Sequence, residues 1–386
     1  MTRKVLILGG RAPVALDHAR RFAHQGWRVF VADSIPCRIS GASRAVQATL
    51  RIASPRHAPA RFVSDLRDIV STHAIDMIVP TCEEVFFVSR YRDRLPTNIR
   101  VLADDFGKLR EVHSKRQFLT QADGCGVHVP QATLVSSLGE AREWAGTRGI
   151  VLKPEFSRFG VHVRIYPHGI PADAPPLAAL GNWVVQDYAE GREFCSYSVA
   201  DRGRLLAHSL YRPGWRMSTS SSFYFEAAHN EAIRAFAERL ARKLSFTGQL
   251  SFDWIVRADG RVSVLECNPR ATSGCHLFSL DDPVPSALDG TLLHCAEPSS
   301  CPPRMISAVM ATAGLWQAIR RRALTRWLRD YRAASDVIGV AADQGPTLGA
   351  ISDLMSYARL ALAQRRTLRE AATHDIEWDG QALPEA

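Results

Sequence analysis

The sequence predicts an α/β protein made of more than one part, and three stretches predict it. Residues 4 to 33, KVLILGGRAPVALDHARRFAHQGWRVFVAD, run strand, glycine turn, amphipathic helix and strand, the opening of a βαβ unit. The segment DMIVPTCEE (76 to 84) continues the pattern with an apolar strand that ends in a polar loop. Far downstream, LSFDWIVRADGRVSVLECNPR (250 to 270) holds two strand-like runs either side of Asp259-Gly260, a two-residue hairpin signal. At 386 residues the chain has room for two or three domains.

Composition narrows the class. With 46% hydrophobic and 23% charged residues the chain reads as an ordinary soluble globular protein. No apolar run approaches the roughly 20 residues that a spanning helix needs. The N-terminus passes from Met-Thr-Arg-Lys straight into VLILGG without a leader-like segment, and the eight Cys are scattered without a CxxC pair. Both features predict a cytoplasmic protein with reduced thiols. The formal charge of +9 favours anionic ligands. It comes from Arg spread along the chain without aromatic interleaving, so phosphates on a small molecule account for it and nucleic acid is not an expected partner.

The first βαβ unit invites a nucleotide, but not NAD. Its turn has only Gly9-Gly10 followed by Arg-Ala-Pro, so the GxGxxG spacing that would put Asp33 on a ribose is absent. Thr81, Glu83 and Glu84 follow a strand end, where parallel sheets bind ligands. They are either substrate contacts or the first turn of a helix, stabilised by its dipole.

The downstream hairpin carries the chemistry. With Asp259 and Gly260 as its turn, Asp253 falls opposite Glu266. Side chains alternate along a strand, so Glu266, Asn268 and Arg270 share one face. Opposed carboxylates destabilise a sheet unless a cation lies between them, and with Asn268 they make a hard oxygen set of the kind Mg²⁺ takes. The competing reading is a solvent-facing polar stripe on an edge hairpin.

Between these ends lie three more pieces. HSKRQFL places Lys115 near a domain boundary. GIVLKPEFSRFGVHVRIY (149 to 166) has two apolar runs joined by a loop with Ser157, Arg158 and Gly160, and Lys153 projects from the first run. That spacing suggests a phosphate-binding hairpin, with Lys153 as a point charge and loop amides as donors. WVVQDYAEGREFCSYSVA (183 to 200) gives a strand, a linker with Gly191, and Glu193 opening the next strand.

In this order the pieces resemble the ATP-grasp superfamily, in its carbamoyl-phosphate-synthase-like and carboxylate–amine ligase branches, over about residues 1 to 290. The resemblance implies a Rossmann-like domain (1–112), then an ATP-grasp domain of two α+β subdomains gripping ATP (113–296, lid about 125–195). It implies that Lys115, Lys153 and Ser157 hold the ATP phosphates. The main chain of Gln186, Asp187, Tyr188 and Ala189 would hold adenine and Glu193 the ribose. Asp253, Glu266 and Asn268 would bind one or two Mg²⁺, with Mn²⁺ as a substitute. Two departures stand out: the loop after Lys153 is poor in glycine, which shifts its grip to Ser157 and Arg158, and Gln186 stands where many relatives have Glu.

Arg270, suited to bidentate contact with phosphate or carboxylate, joins Lys153 as a catalytic candidate. The resemblance implies that HSLYRPGWRMSTSSSFYFE (208 to 226) lies near the acceptor pocket, where Arg212 would hold a substrate carboxylate; the competing reading is a flexible surface loop. The expected reaction phosphorylates a carboxylate to an acyl phosphate, which an amine attacks, with ADP as product. Bicarbonate, ammonia or a thiol as co-substrate, and a nucleotide-binding regulator without turnover, are the alternatives.

From Glu297 the composition changes. EPSSCPPR reads as a linker and the rest (297–386) as a mostly helical extension. LWQAIRRRALTRWLRDYR (315 to 332) mixes apolar residues with six Arg and one Asp. It is either a helix packed on its parent domain with Arg on the wet face, or a peripheral contact with an anionic membrane. DIEWDG near the end reads as a terminal strand and turn. A homodimer is left open.

Overall fold

The computed structural model describes residues 2–158, 160, 162–217, 222–299 and 302–385. Five parallel strands form the first sheet: β1 (Lys4–Leu8), β2 (Arg28–Asp33), β3 (Ala48–Arg51), β4 (Met77–Val79) and β5 (Arg100–Val101), in the order β3-β2-β1-β4-β5. Val5 to Leu8 are wholly buried, as expected for a parallel strand covered on both faces. The helices Pro13–His24 and Pro59–His73 each begin on proline, whose missing N–H costs nothing there. The turn after β1 needs glycine. Gly9 has φ +71°, and a Cβ there would lie 2.6 Å from Thr81 Oγ1. Asp33 is taken up by Arg11, whose amide and guanidinium both donate to it.

A small antiparallel sheet follows: β6 (Ala132–Val135), β7 (Ile150–Pro154), β8 (Arg164–Tyr166) and β9 (Trp183–Asp187), ordered β6-β9-β7-β8. The helix Leu138–Ala145 covers it, capped by the Ser137 side chain, which accepts from the Glu140 amide.

The large sheet comprises β10 (Arg192–Asp201), β11 (Arg204–Pro213), β12 (Tyr224–Ala228), β13 (Gly248–Val256), β14 (Val262–Asn268), β15 (Arg304–Met305) and β16 (Ser335–Asp336). Their order is β14-β13-β10-β11-β12-β15-β16. The helix Glu231–Leu244, capped by Asn230, packs Phe236 edge-on against Phe252 and Trp254. Residues 252 and 254 therefore face the helix and residue 253 faces away from it.

The β13–β14 hairpin departs from its expected turn. The Arg257 amide donates to the Arg261 carbonyl (2.9 Å), which makes Ala258, Asp259 and Gly260 a three-residue loop with Gly260 at φ +82°. Register then runs Val256↔Val262 to Trp254↔Val264, shifts by one residue, and resumes at Asp253↔Glu266. The extra turn residue alone would set Leu265 against Asp253; a bulge at Leu265 restores the carboxylate pair.

Beyond residue 302 lie the helices Leu315–Arg320, Leu324–Ala333, Gly345–Gln364 and Leu368–Thr373. This region is not purely helical, because β15 and β16 extend the large sheet. In the 315–332 stretch Asp330 is buried and accepts from Trp215 Nε1 at 3.0 Å, while Trp316, Ile319, Leu324 and Leu328 stay exposed. DIEWDG is not a strand: residues 375–380 pair with no sheet and run as an irregular segment over the first sheet's loops. No helix among the described residues is long and apolar enough to cross a membrane.

A buried ion pair ties the first sheet's helix Pro13–His24 to the short turn Ser273–Leu277: His276 Nδ1 and Asp17 Oδ2 are 2.5 Å apart. Burial would discharge His276, but Cys275 and Asp17 raise it to about 10. Burial likewise opposes the Asp17 carboxylate, yet His276 and Arg21 hold it down at about 2. His276→Gln removes the nearer partner of a buried carboxylate and leaves it Arg21 at 3.7 Å, and is expected to cost about 1–3 kcal/mol. The histidine's folded pKa lies above its unfolded 6.5, so the wild-type advantage is full below pH 6.5 and fades as pH rises through about 10. Urea unfolding of both forms at pH 6 and pH 10 measures it.

Candidate active site

Four strands bring a polar row together. Glu266 lies opposite Asp253, Asp253 opposite Cys195, and Cys195 opposite Tyr211, so all four share the face turned away from the helix Glu231–Leu244. Burial pushes the Asp253 carboxyl up to about 7, and the negative Glu266 beside it adds to the rise. Burial works against Glu266 too, but Lys153 and Lys115 outweigh it and hold that carboxylate well below its usual range. Asn268 lies opposite Ser251 on the same face, and its Oδ1 accepts from Arg270 Nη2 at 3.3 Å.

The small sheet forms the opposite wall. Lys153 of β7 sends its Nζ to within 3.3 Å of the Leu265 carbonyl and 3.5 Å of Glu266 Oε2. A bulge leaves its extra residue outside the ladder, which is why that carbonyl is available. Gln186 of β9 pairs with Val151, placing it on the Lys153 face; it is buried, and its Oε1 has no hydrogen-bond partner among the described residues. Lys115 is buried just below, with its Nζ 3.0 Å from the Ser157 carbonyl and 3.5 Å from that of Glu155. Burial lowers its pKa, and Glu266 opposes the drop.

The linker after β9 is partly committed. The amides of Asp187 and Tyr188 donate to the Gln131 and Gly149 carbonyls, each at 2.9 Å, and the Asp187 side chain pairs with Arg148 at 2.6 Å. Ala189 follows. Glu193 lies on the same face as Asp253, two residues before Cys195, and pairs with Arg216.

Arg212 is not brought to this site. It neighbours Tyr211 on β11, so it projects from the other face of the sheet, where it pairs with Glu226 at 2.5 Å and lines a separate pocket of about 520 Å³ with Arg326 and Arg329. Strand parity thus places it on the face away from the carboxylate pair. Ser218 to Ser221 of the same stretch lie outside the described residues.

The two acids after β4 divide their roles. Glu84 Oε1 accepts from the amides of Thr81 and Cys82, and Thr81 Oγ1 donates to the Leu8 carbonyl, so both serve the local fold. Glu83 reaches into the site. Its Oε1 lies 2.7 Å from Arg158 Nε and 3.9 Å from Arg270 Nε, and its Oε2 accepts from the Trp378 amide. His113 was no sequence candidate, yet it is buried among Phe86, Phe156 and Trp378 with neither ring nitrogen partnered. Burial, with Lys115 and Arg270 nearby, holds it neutral. Glu155, which accepts from Ser114 Oγ at 2.5 Å, and Glu377, 3.6 Å from Arg158 Nη1, were also unforeseen.

No protein-family model and no curated protein sequence matches the chain. Solved structures do. N5-carboxyaminoimidazole synthetase from Staphylococcus aureus, complexed with ADP, superposes with a TM-score of 0.61 at 15% identity, over 82% of this chain and 87% of that one. Its fold is that of the ATP-grasp ligases. The biotin carboxylase domain of Hydrogenobacter thermophilus 2-oxoglutarate carboxylase, in complex with MgADP and bicarbonate, gives 0.60 at 14% identity over 78% of this chain and 73% of that one. L-amino acid ligase from Bacillus licheniformis gives 0.55 at 12% identity over 74% of each chain.

In this ATP-grasp fold the donor set suits a hard divalent cation: two opposed carboxylates and an amide oxygen on one face. Asp253 must shed its proton to serve as a ligand. Mn²⁺ binding, followed by paramagnetic relaxation of water, is therefore expected to weaken about tenfold per pH unit below about 7, and Asp253→Asn to flatten that slope.

Proposed function

We propose that this chain is an ATP-dependent, ADP-forming ligase that activates a small-molecule carboxylate as an acyl phosphate and joins it to an amine. The observation that carries the reading is the Asp253–Glu266 pair with Asn268 beside it, facing Lys153 across the cleft. In this reading Mg²⁺, held by Asp253, Glu266 and Asn268, offsets charge on the β and γ phosphates.

The chain's own groups do the rest. Lys115, Lys153 and the Ser157 loop hold the phosphates, and Glu193 holds the ribose hydroxyls. With the Asp187 and Tyr188 amides already donating and the Gln186 carbonyl in the ladder with Val151, the adenine edge falls to the Ala189 amide, the Asp187 carbonyl and Gln186 Oε1. A substrate carboxylate oxygen attacks the γ phosphorus, the bond to the β–γ bridging oxygen breaks, and ADP leaves. The amine then attacks the acyl carbon, phosphate departs, and the amine proton passes to solvent. Arg270 and Lys153 stabilise charge on the transferring phosphoryl oxygens. Enclosure between the two sheets keeps water from the acyl phosphate.

The boundaries near residues 112 and 296 divide the chain accordingly. The seven described cysteines are all free thiols, which supports a reducing, cytoplasmic setting.

The test is ADP release with MgATP across a panel of amino acids and other carboxylates, bicarbonate included, with hydroxylamine present to trap acyl phosphate as hydroxamate. One carboxylate is expected to yield hydroxamate, with Lys153→Ala lowering the rate about a hundredfold to a thousandfold and Glu266→Gln doing at least as much. Nucleotide binding without ADP release or hydroxamate for any acid would favour a regulatory protein instead.

A further inference from the structure

The segment DIEWDG has an acid at every second position, and each acid meets an arginine from a different part of the chain. Asp375 takes Arg11 through both oxygens, at 2.6 and 2.8 Å. Asp379 takes Arg56 at 2.7 Å, and the Asp375 carbonyl accepts from Ser54 Oγ, also at 2.7 Å. These contacts pin the segment to the loops of the first sheet. Glu377, between them, accepts from Thr373 Oγ1 at 2.5 Å and with the same Oε1 lies 3.6 Å from Nη1 of Arg158, in the loop that follows Lys153.

Trp378 reinforces that contact. Its amide donates to Glu83 Oε2 at 3.1 Å, and its ring stands 5.1 Å from Phe156, 4.8 Å from Phe86 and 6.2 Å from His113. Gly380 closes the turn at φ +86°, where a Cβ would collide with the Phe156 ring. Phe156 and Arg158 are therefore gripped from outside, while the carbonyls of the residues that precede them, Glu155 and Ser157, hold the Lys115 ammonium.

We infer that Glu377 and Trp378 are positioning residues: the C-terminal segment fastens the loop 155–158 against the first sheet and so presets Lys115 and Ser157. Nothing in the segment touches the carboxylate pair, so it acts through the loop. A fastened loop loses less freedom when an anionic ligand orders it, and that saving appears as affinity. The inference rests on the ligase reading only in naming a nucleotide as that ligand.

The experiment compares full-length wild type with Glu377→Gln, Glu377→Asp and Trp378→Ala, with Asp379→Asn as a control that removes a contact of the same segment away from the loop. Amide hydrogen exchange is read at residues 155–158 and at β1, and MgADP affinity by calorimetry. Glu377→Gln is expected to speed exchange at 155–158 about tenfold and to weaken MgADP binding by a similar factor, while β1 is unchanged. Glu377→Asp restores both in part, and Asp379→Asn changes neither. Unchanged loop exchange in Glu377→Gln would overturn the inference, as would equal effects in Asp379→Asn. Should wild type bind no MgADP, the nucleotide reading fails, while the exchange comparison still decides whether the segment fastens the loop.

Discussion

Two carboxylates placed side by side on a covered sheet face are the constraint to which the surrounding structure answers. At a separation near 4 Å and an effective dielectric near 20, two full negative charges repel by about 4 kcal/mol. The protein meets this in two ways: Asp253 tends to keep its proton, and Lys153 and Lys115 stand close to Glu266. Around them Glu83 and Glu377 face Arg158 and Arg270. Among these eight groups each acid is matched by a cation. With Asp253 ionised the cluster therefore carries no surplus positive charge, and with its proton kept the surplus is one.

How much of this was legible in the sequence depends on the range of the interaction. The opposed pair follows from local alternation and one hairpin, and it survives an error in the turn because the third loop residue and the bulge at Leu265 cancel. Periodicity cannot see either one alone. The parallel order of the first sheet and the position of Lys153 on β7 are local patterns as well. Arg212 was misplaced because its face depends on the parity of β11 relative to β10 and β13, which is set by pairings between strands and not by its own neighbours. DIEWDG alternates polar and apolar residues as a strand would. Its acids, however, answer to Arg11, Arg56 and Arg158, some two to three hundred residues distant or more, and no window of sequence shows such a match.

The likeness to solved ATP-grasp structures at 12–16% identity has the same character. What persists at that distance is the layering of sheets and the cleft between them, which tolerate replacement of most side chains provided volume and pattern are kept. A likeness of fold does not specify the side chains that line the cleft. Here that lining includes His113 beside Trp378, neutral and with neither ring nitrogen partnered among the described residues, and a buried Glu83 between two arginines.

Arg158 and Arg270 look interchangeable in the sequence, as two guanidiniums near the phosphate region, but their surroundings separate them. Arg270 donates to the Ala271 carbonyl and to Asn268 at 3.2 and 3.3 Å, long contacts that are cheap to exchange, and its nearest charge partner is 3.9 Å away. Arg158 sits 2.7 Å from a fully buried carboxylate. Turning it toward a phosphate would leave the buried Glu83 only the Trp378 amide and Arg270 at 3.9 Å, a loss of about 3–5 kcal/mol, more than a single new charge-assisted hydrogen bond returns. In the proposed reaction Arg270 is therefore the guanidinium that would follow the transferring phosphoryl group. Arg158 belongs to the framework around the loop, and in the proposed reaction the grip on the phosphates would fall to Lys115, Lys153 and the loop amides.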